Sequence, residues 1–174
     1  MPKPPNEHEL YKFCPHCGHE LIAKQLDREK VKYCEKCGFT FWNKSKPVVS
    51  IVLHKDGKVL MIQRGNEPFK GYWVLPGGFI SYFENAEEAI KREALEEVGV
   101  EMKLEKILGT YLIDNDPRGM HLDIIFAGIT DDEIKLNNED TNFQWFKPGN
   151  LPKKIAYKHR EAITDWHMKG SKYG

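Results

Sequence analysis

Hydrophobic and polar positions follow two periods along the chain, and these periods predict the elements of an α/β fold. Runs rich in Val and Ile predict strands at residues 48–54 and 58–64, with Asp56-Gly57 between them as a hairpin turn. Downstream, strands are predicted at residues 102–113, 121–130 and 143–147, and a closing helix at residues 158–168. Strands and helices interspersed in this order favour an α/β sandwich.

A further helix is predicted between Asn85 and Gly99, because both of its ends carry a cap signal. Asn85 followed by Glu88 three residues later is a capping box, and Gly99 is a C-terminal stop. Pro76-Gly77-Gly78, which precede the helix, are typical of a turn. The sequence therefore predicts a Pro-Gly-Gly turn followed by a capped helix.

One stripe of this helix begins apolar and ends acidic. At helical spacing the stripe contains Ala86, Ala89, Ile90, Glu93 and Glu97, with Glu96 beside it. Glu93 and Glu97 are like charges at i and i+4, which costs roughly 0.2–0.5 kcal/mol in an isolated helix, and the macrodipole disfavours anions near a helix C-terminus. Because a divalent cation would remove both conflicts, Glu93, Glu96 and Glu97 are predicted ligands of a hard ion such as Mg²⁺.

All four cysteines lie near the start of the chain, in two C-x2-C pairs. Cys14, Cys17, Cys34 and Cys37 have the spacing C-x2-C-x16-C-x2-C, which is typical of a closed tetrahedral zinc site. Two disulfides or a redox pair are the alternatives, but no export signal is evident and a redox pair does not explain the duplication. We interpret this module as a structural or dimerisation element, so a homodimer is an open expectation.

Composition narrows the class of protein. Lys and Arg together number 26, as do Asp and Glu, so the net charge is zero and no strong attraction to nucleic acid or an anionic membrane is expected. No apolar run is long enough to span a bilayer and no signal peptide is evident, so a cytoplasmic protein is expected. We predict a flexible tail at residues 1–9, a zinc module at residues 10–46 and the main domain at residues 47–174.

Residues 78–100 match the Nudix box, G-x5-E-x7-R-E-U-x-E-E-x-G-U, in which U is a bulky aliphatic residue. The fixed positions are Gly78, Glu84, Arg92, Glu93, Glu96, Glu97 and Gly99. Ala94 is a mild departure at the first U, whereas Val100 satisfies the last. The chain therefore resembles the Nudix hydrolase superfamily, which implies a mixed sheet between helices in an α/β/α sandwich. Its cysteine module resembles the zinc ribbons that precede some Nudix domains, notably in the NADH pyrophosphatase group.

The resemblance implies hydrolysis of a nucleoside diphosphate linked to another moiety, with Mg²⁺ or Mn²⁺ as cofactor and a small nucleotide as substrate. On this resemblance Glu93, Glu96 and Glu97 hold the metal, while Arg92 orients them and Glu84 supports the cluster. Divalent ions neutralise a pyrophosphate and align water for attack on phosphorus. Glu93 or Glu97 is the expected base, because a coordinated water loses its proton readily to a nearby carboxylate.

Two further positions extend the predicted site. In many members of the superfamily a metal faces the backbone carbonyl at the position of Gly78. Members often add an acid from a later loop, and Glu139 is the candidate here. The alternative for Glu139 is a solvated loop acid beside Asp140.

Aromatic and basic residues before the box are candidate substrate contacts. Arg64 could meet phosphates, and Phe69 and Trp73 could stack on a base. Core packing is the alternative for Trp73 and for Phe79, since buried aromatic residues usually serve packing first. Arg64 could equally be solvated, so the sequence leaves these contacts open.

The box alone does not select the substrate. NADH pyrophosphatases carry the run S-Q-P-W-P-F-P downstream of the box, and that run is absent here. The opening P-G-G-F and Pro117, seventeen residues past Val100, resemble ADP-ribose hydrolases, although Ser81 and Phe83 depart from that subgroup. ADP-ribose or a similar nucleotide sugar is favoured. The alternatives are NADH, a dinucleoside polyphosphate or a damaged nucleoside triphosphate, or a non-catalytic ADP-ribose sensor whose ribbon binds nucleic acid or a protein.

Overall fold

A computed structural model of the protein describes residues 10–170, so the predicted tail at residues 1–9 lies outside the described part of the chain. The chain divides into two compact units. The smaller contains residues up to Ser45 together with Asp114–Met120, and the larger contains Lys46–Ile113 and the residues from His121 onward. No helix among residues 10–170 has the length and apolar character that a membrane span needs.

The smaller unit is a short antiparallel sheet beside the four cysteines. Its strands are β1 (Ile22–Leu26), β2 (Glu29–Tyr33) and β3 (Thr40–Phe41), paired in that order. Each C-x2-C pair closes a tight turn in which Gly18 or Gly38 donates its N–H to the carbonyl of the first cysteine, at 2.9 Å in both turns. Both glycines have positive φ, 70° and 76°, a conformation that residues with a side chain rarely adopt.

The larger unit is built around one mixed sheet. Its strands are β4 (Lys46–Lys55), β5 (Lys58–Arg64), β6 (Trp73–Val74), β7 (Gly77–Phe79), β8 (Lys103–Ile113), β9 (His121–Ile129) and β10 (Asp140–Phe146). The main path of the sheet runs β10-β5-β4-β9-β8, with β6 paired to β5 and β7 to β4. The pairing of β4 with β9 is parallel, and the other strand pairs within this described sheet are antiparallel.

Two helices cover opposite faces of this sheet. Helix α1 is Ala86–Val98 and helix α2 is His159–Gly170, with a single 3-10 turn at Pro148–Asn150 before α2. Side chains of β4 alternate between the faces, because strand residues point to opposite sides with period two. Ile51 belongs to the apolar cluster beneath α1, whereas Val52 belongs to the cluster beneath α2. The fold is therefore the α/β/α sandwich that the sequence predicts.

The strand and hairpin predictions near the start of the larger unit are confirmed. Strand β5 has the predicted bounds, and β4 is longer than predicted by two residues at its start and one at its end. Asp56 and Gly57 both have positive φ, 51° and 69°, as a two-residue type I′ hairpin turn requires.

The prediction of a Pro76-Gly77-Gly78 turn is wrong, because Gly77–Phe79 form strand β7 along β4. Gly77 has a φ of 151°, and a Cβ at this position would overlap the carbonyl oxygen of Val49. Glycine here allows close approach of two strands and does not reverse the chain. Strand β10 also begins earlier than predicted, at Asp140.

Candidate metal centre and active site

Helix α1 places the acidic residues of the box because both of its ends are fixed. The Asn85 side chain accepts hydrogen bonds from the N–H groups of Glu87 and Glu88, each at 3.0 Å, and the Glu88 carboxylate accepts one from Asn85 N at 2.8 Å. Gly99 ends the helix with a φ of 67°. These caps confirm the predicted bounds. They also fix the helix register, in which Ile90 lies fully buried one turn before Glu93.

Arg92 joins three of the box acids. Its guanidinium donates two bonds to the Glu84 carboxylate, from Nε at 2.9 Å and from Nη2 at 2.6 Å. Nη1 donates to Glu93 Oε1 at 2.8 Å and to Glu96 Oε2 at 2.9 Å. Nη2 also donates to the carbonyl oxygen of Phe79 at 3.1 Å. The planar guanidinium therefore fixes the two helix acids relative to the strand that precedes the helix.

Glu84 is held as an anion at the edge of this cluster. The hydrogen bonds from Arg92 lower its pKa to about 2, and the backbone N–H of Ser81 adds a hydrogen bond to Oε1 at 2.7 Å. Ser81 is one of the departures from the ADP-ribose subgroup, and it lowers the pKa of Glu84 mainly through its backbone N–H and to a smaller extent through its side chain.

Glu93 packs directly on the backbone of β7. Its side chain is only 12% exposed, and a Cβ at Gly78 would overlap the Glu93 carboxylate. Burial is the main cause that raises the pKa of Glu93, and the charges of Glu96 and Glu84 add to the effect. The glycine of the box thus has a steric reason, because it leaves room for an acid against the strand.

Glu97 is held against the backbone of Gly77. Its Oε2 accepts a hydrogen bond from Gly77 N at 2.8 Å. Burial, together with the charges of Asp140 and Glu93, raises the pKa of Glu97 to about 8. A nearby cation would stabilise the charged form of a carboxylate in such surroundings, because burial otherwise disfavours that form.

The oxygens of the three helix acids suit a hard divalent cation. Glu93 and Glu96 each use one oxygen on Arg92, and Glu97 uses one on Gly77. The second oxygen of each accepts no hydrogen bond from any other described residue, so it can serve as a metal ligand. The Glu93 side chain is 12% exposed and that of Glu96 is 57% exposed, and carboxylate oxygens of this kind are ligands that Mg²⁺ or Mn²⁺ could take.

Glu139 and Asp140 differ in their relation to these acids. Glu139 is exposed, and its backbone N–H donates to Asn137 Oδ1 at 2.9 Å. Asp140 is half-buried, and burial raises its pKa to about 6 against the opposing effect of Arg64, its register partner on β5. The charge of Asp140 in turn raises the pKa of Glu97. Asp140, which the sequence analysis names only as the neighbour of Glu139, is therefore a further candidate site residue.

A register shift in β10 lies beside Asp140. Trp145 packs with the cluster beneath α1, and counting back in steps of two along a regular strand puts residue 139 on the same face. The register of β10 shifts between Asp140 and Asn142, however. A bulge moves the residues beyond it to the opposite face, which agrees with the effect of the Asp140 charge on Glu97.

The predicted substrate contacts occupy different environments. Arg64 donates from Nε to the carbonyl of Pro68 at 2.8 Å. Its positive charge partly offsets the rise in the pKa of both Glu97 and Asp140. Phe69 is 8% exposed within the cluster beneath α1, whereas Trp73 is half-buried with the cluster beneath α2. The roles of these three residues toward a substrate stay predictions.

The four cysteines lie together in the smaller unit. Cys14, Cys17, Cys34 and Cys37 are free thiols, and their Sγ atoms all lie within 4.8 Å of one another. The Sγ atoms of Cys14 and Cys37, and those of Cys17 and Cys34, are 3.5 Å apart. Sulfurs around a tetrahedral zinc ion with Zn–S bonds of 2.3 Å are about 3.8 Å apart, so the cluster fits such an ion.

The fold and the sequence of the chain both match those of known Nudix proteins. A sequence profile of the NUDIX domain matches residues 44–166, and the chain belongs to this family. The ADP-ribose pyrophosphatase of Methanocaldococcus jannaschii is 34% identical over 148 residues, which cover 84% of this chain and 87% of that protein.

The chain is also similar to an NAD-capped RNA hydrolase in sequence and to a solved NUDIX hydrolase in structure. The NAD-capped RNA hydrolase NudC of Pseudomonas aeruginosa is 30% identical over 147 residues, covering 81% of this chain and 49% of NudC, so the chain spans about half of that relative. The crystal structure of a NUDIX hydrolase from Nitrosomonas europaea has a TM-score of 0.81 at 23% identity and covers 94% of both chains. At that identity, the structural match shows the fold alone.

Proposed function

We propose that this protein hydrolyses the pyrophosphate bond of a nucleoside diphosphate linked to another moiety, with ADP-ribose or a similar nucleotide sugar as substrate. The observation that carries the proposal is the acidic end of helix α1. Glu93, Glu96 and Glu97 are held there by Arg92 and Gly77, and each keeps one carboxylate oxygen for a cation. The similarity to an ADP-ribose pyrophosphatase over most of both chains supports the choice of substrate.

The residues of the site divide the work of this reaction. When bound, Mg²⁺ or Mn²⁺ would neutralise the pyrophosphate and lower the pKa of a coordinated water. Glu93, Glu96 and Glu97 would hold that cation, with the carbonyl of Gly78 as a further ligand. Arg92 keeps the acids in place through five hydrogen bonds, to Glu84, Glu93, Glu96 and the carbonyl of Phe79.

A general base completes the proposed mechanism. Glu93 and Glu97 are candidates because they adjoin the metal. Asp140 joins them, because burial raises its pKa to about 6 and a base works best with a pKa near the working pH. Glu139 lies one residue away on the exposed side, and it stays a weaker candidate.

Replacement of one acid tests the proposal directly. Glu97→Gln keeps an oxygen that can accept the Gly77 N–H, so the fold is expected to persist, while the charge that would hold the cation is lost. We expect Mg²⁺-dependent turnover of ADP-ribose to AMP and ribose 5-phosphate to fall by at least about 100-fold. Glu87→Gln, an exposed acid of the same helix, is the matched control and should retain wild-type turnover. Wild-type turnover in Glu97→Gln would overturn the assignment.

A second candidate function is hydrolysis of NADH or of an NAD cap on RNA. The four-cysteine cluster and the similarity to NudC favour it. Initial rates with Mg²⁺ on ADP-ribose, NADH, NAD-capped RNA, diadenosine polyphosphates and oxidised dGTP decide between these functions. The highest kcat/KM on ADP-ribose supports the first proposal, and the highest on NAD-capped RNA would overturn our expectation that nucleic acid is not a ligand. Tight ADP-ribose binding without turnover of any substrate would identify a sensor.

We also propose that Cys14, Cys17, Cys34 and Cys37 hold a structural Zn²⁺. The support is their spacing and the proximity of their four Sγ atoms. Among the described residues 10–45, the buried apolar side chains are few: Cys14, Leu21, Val31 and Cys34. A unit with so small a core needs another source of folding free energy, which a metal supplies.

A further inference from the structure

A buried polar cluster lies on the face of the sheet opposite the box acids. Ser50 of β4, Asp123 of β9 and His159 at the start of α2 are 5%, 0% and 3% exposed. Ser50 Oγ is 3.0 Å from Asp123 Oδ2 and 3.3 Å from His159 Nε2, and that nitrogen is 3.4 Å from Asp123 Oδ2. The other ring nitrogen, Nδ1, accepts a hydrogen bond from the backbone N–H of Leu75 at 2.8 Å.

The direction of each hydrogen bond in this cluster follows from its partners. A backbone N–H can only donate, so His159 Nδ1 must carry a lone pair and the ring proton sits on Nε2. Asp123 accepts from the Ser50 hydroxyl, which leaves a lone pair of Ser50 Oγ for the Nε2–H. The chain of donors therefore runs from Leu75 N through His159 and Ser50 to Asp123. The edge of the Tyr157 ring, 5.4 Å from the imidazole centre to centre, packs beside it.

The segment that His159 contacts leads straight to Glu97. Leu75 is buried in the cluster beneath α2, and the carbonyl of Pro76 accepts a hydrogen bond from Ile51 N at 3.0 Å. Two residues after Leu75, Gly77 N donates to Glu97 Oε2 on the other side of the sheet. Gly77 is also the register partner of Ser50 on β4. The backbone from Leu75 to Gly77 thus passes from His159 to Glu97.

We propose that His159 is a positioning residue for Glu97, which it controls through the backbone of Leu75 to Gly77, with Ser50 and Asp123 fixing its tautomer. The proposal rests on the proposed function in taking Glu97 as a metal ligand. Partners behind a metal ligand commonly set its orientation, and their loss costs roughly 10- to 100-fold in metal affinity or activity. Here the partner acts across the sheet, through three residues of backbone.

The cluster contains a feature that packing alone does not explain. Asp123 Oδ1 is buried and has no hydrogen-bond partner among the described residues. An unpaired carboxylate oxygen in the interior destabilises the fold, and apolar residues of similar volume would avoid that cost. A role in orienting the Ser50 hydroxyl, and through it the imidazole of His159, would account for a carboxyl group at this buried position.

Two substitutions of His159 separate its hydrogen bond with Leu75 from its hydrogen bond with Ser50. In His159→Asn, Oδ1 stands where Nδ1 stood and can accept from Leu75 N. In His159→Gln, Nε2 stands near the original Nε2 and the acceptor for Leu75 is lost. The full chain is loaded with Mn²⁺, binding is measured by electron paramagnetic resonance, and binding that persists in Glu97→Gln is subtracted.

We expect His159→Gln to weaken Mn²⁺ binding by roughly 10- to 100-fold and His159→Asn to stay within roughly threefold of wild type. The amide proton of Gly77, followed by NMR, should move upfield in His159→Gln as its bond to Glu97 weakens, and should stay near its wild-type shift in His159→Asn. Equal changes in the two folded variants, or no change in either, would overturn the proposal, because a residue with a packing role alone would not distinguish them.

A second variant and readouts independent of turnover control for misfolding and for a lack of activity. If His159→Gln does not fold, Ser50→Ala is used: a Mn²⁺ affinity below wild type with a shifted Gly77 amide supports the proposal, and wild-type values for both overturn it. Neither readout depends on turnover. Absence of hydrolysis by the wild-type protein would therefore count against the proposed function, while Mn²⁺ binding and the Gly77 amide would still decide the role of His159.

Discussion

The glycine that opens the box is required for steric reasons at the scale of single residues. A Cβ at Gly78 would overlap the Glu93 carboxylate. In Gly78→Ala the acid must therefore move away from β7, and a displacement of about 1 Å in a catalytic group can cost 100-fold in rate. We expect kcat to fall by roughly that factor while the melting temperature changes little, as measured by steady-state kinetics and calorimetry.

Gly149 supplies the matched control for this substitution. A Cβ at Gly149 would meet nothing within 4 Å, so Gly149→Ala should leave kcat unchanged. A Gly78→Ala variant with wild-type kcat would show that the contact between Gly78 and Glu93 does not set the position of that acid.

Single residues of the candidate site, and of the cluster proposed to support it, differ in how far the sequence reveals them. Glu93 and Glu97 were predictable, because they continue an apolar stripe and local periodicity is enough to show this. Asp140 was not, since a bulge in β10 changes which face it occupies. His159 and Asp123 lie 36 residues apart in numbering and meet only through the tertiary fold, so no spacing rule within one element points to their contact.

Helix α1 is the element on which the site depends, and its first turn offers a test. The Asn85 side chain satisfies two backbone N–H groups, and Asn85→Ala removes both bonds. We expect the free energy of unfolding of the larger unit to fall by about 1 kcal/mol, measured by urea denaturation. The exposed Asn66 in the loop before the box gives a control, and Asn66→Ala should change it much less. Equal effects of the two substitutions would rule out a capping contribution.

Element boundaries followed from the sequence wherever a local signal fixes them. Asn85, Glu88 and Gly99 predicted the ends of α1, and Asp56-Gly57 predicted the hairpin between β4 and β5. Strand β7 was missed, because glycine is the expected residue both in a turn and where two backbones approach closely. Only the tertiary partner, here the backbone of β4 at Val49, distinguishes these two uses.

For the larger unit as a whole, the sheet is more than a support for the box helix. The acids lie on the α1 side, while the histidine that contacts the segment before them lies on the α2 side. The Leu75–Gly77 backbone joins the two sides. The proposed metal site would therefore respond to changes at the start of α2, although that helix contributes no box residue.

Loss of zinc should affect the smaller unit and leave the thermal transition of the larger unit in place. Cys34 is fully buried, and Cys34→Ser removes one of four thiolates, so zinc content by atomic absorption should fall from roughly one ion per chain to near zero. The larger unit has two apolar clusters of its own, so it should keep its own thermal transition in calorimetry. His19→Ala, an exposed histidine beside the first cysteine pair, is the control and should retain zinc. A wild-type protein purified without zinc, or Cys34→Ser with full zinc content, would contradict the proposed zinc site.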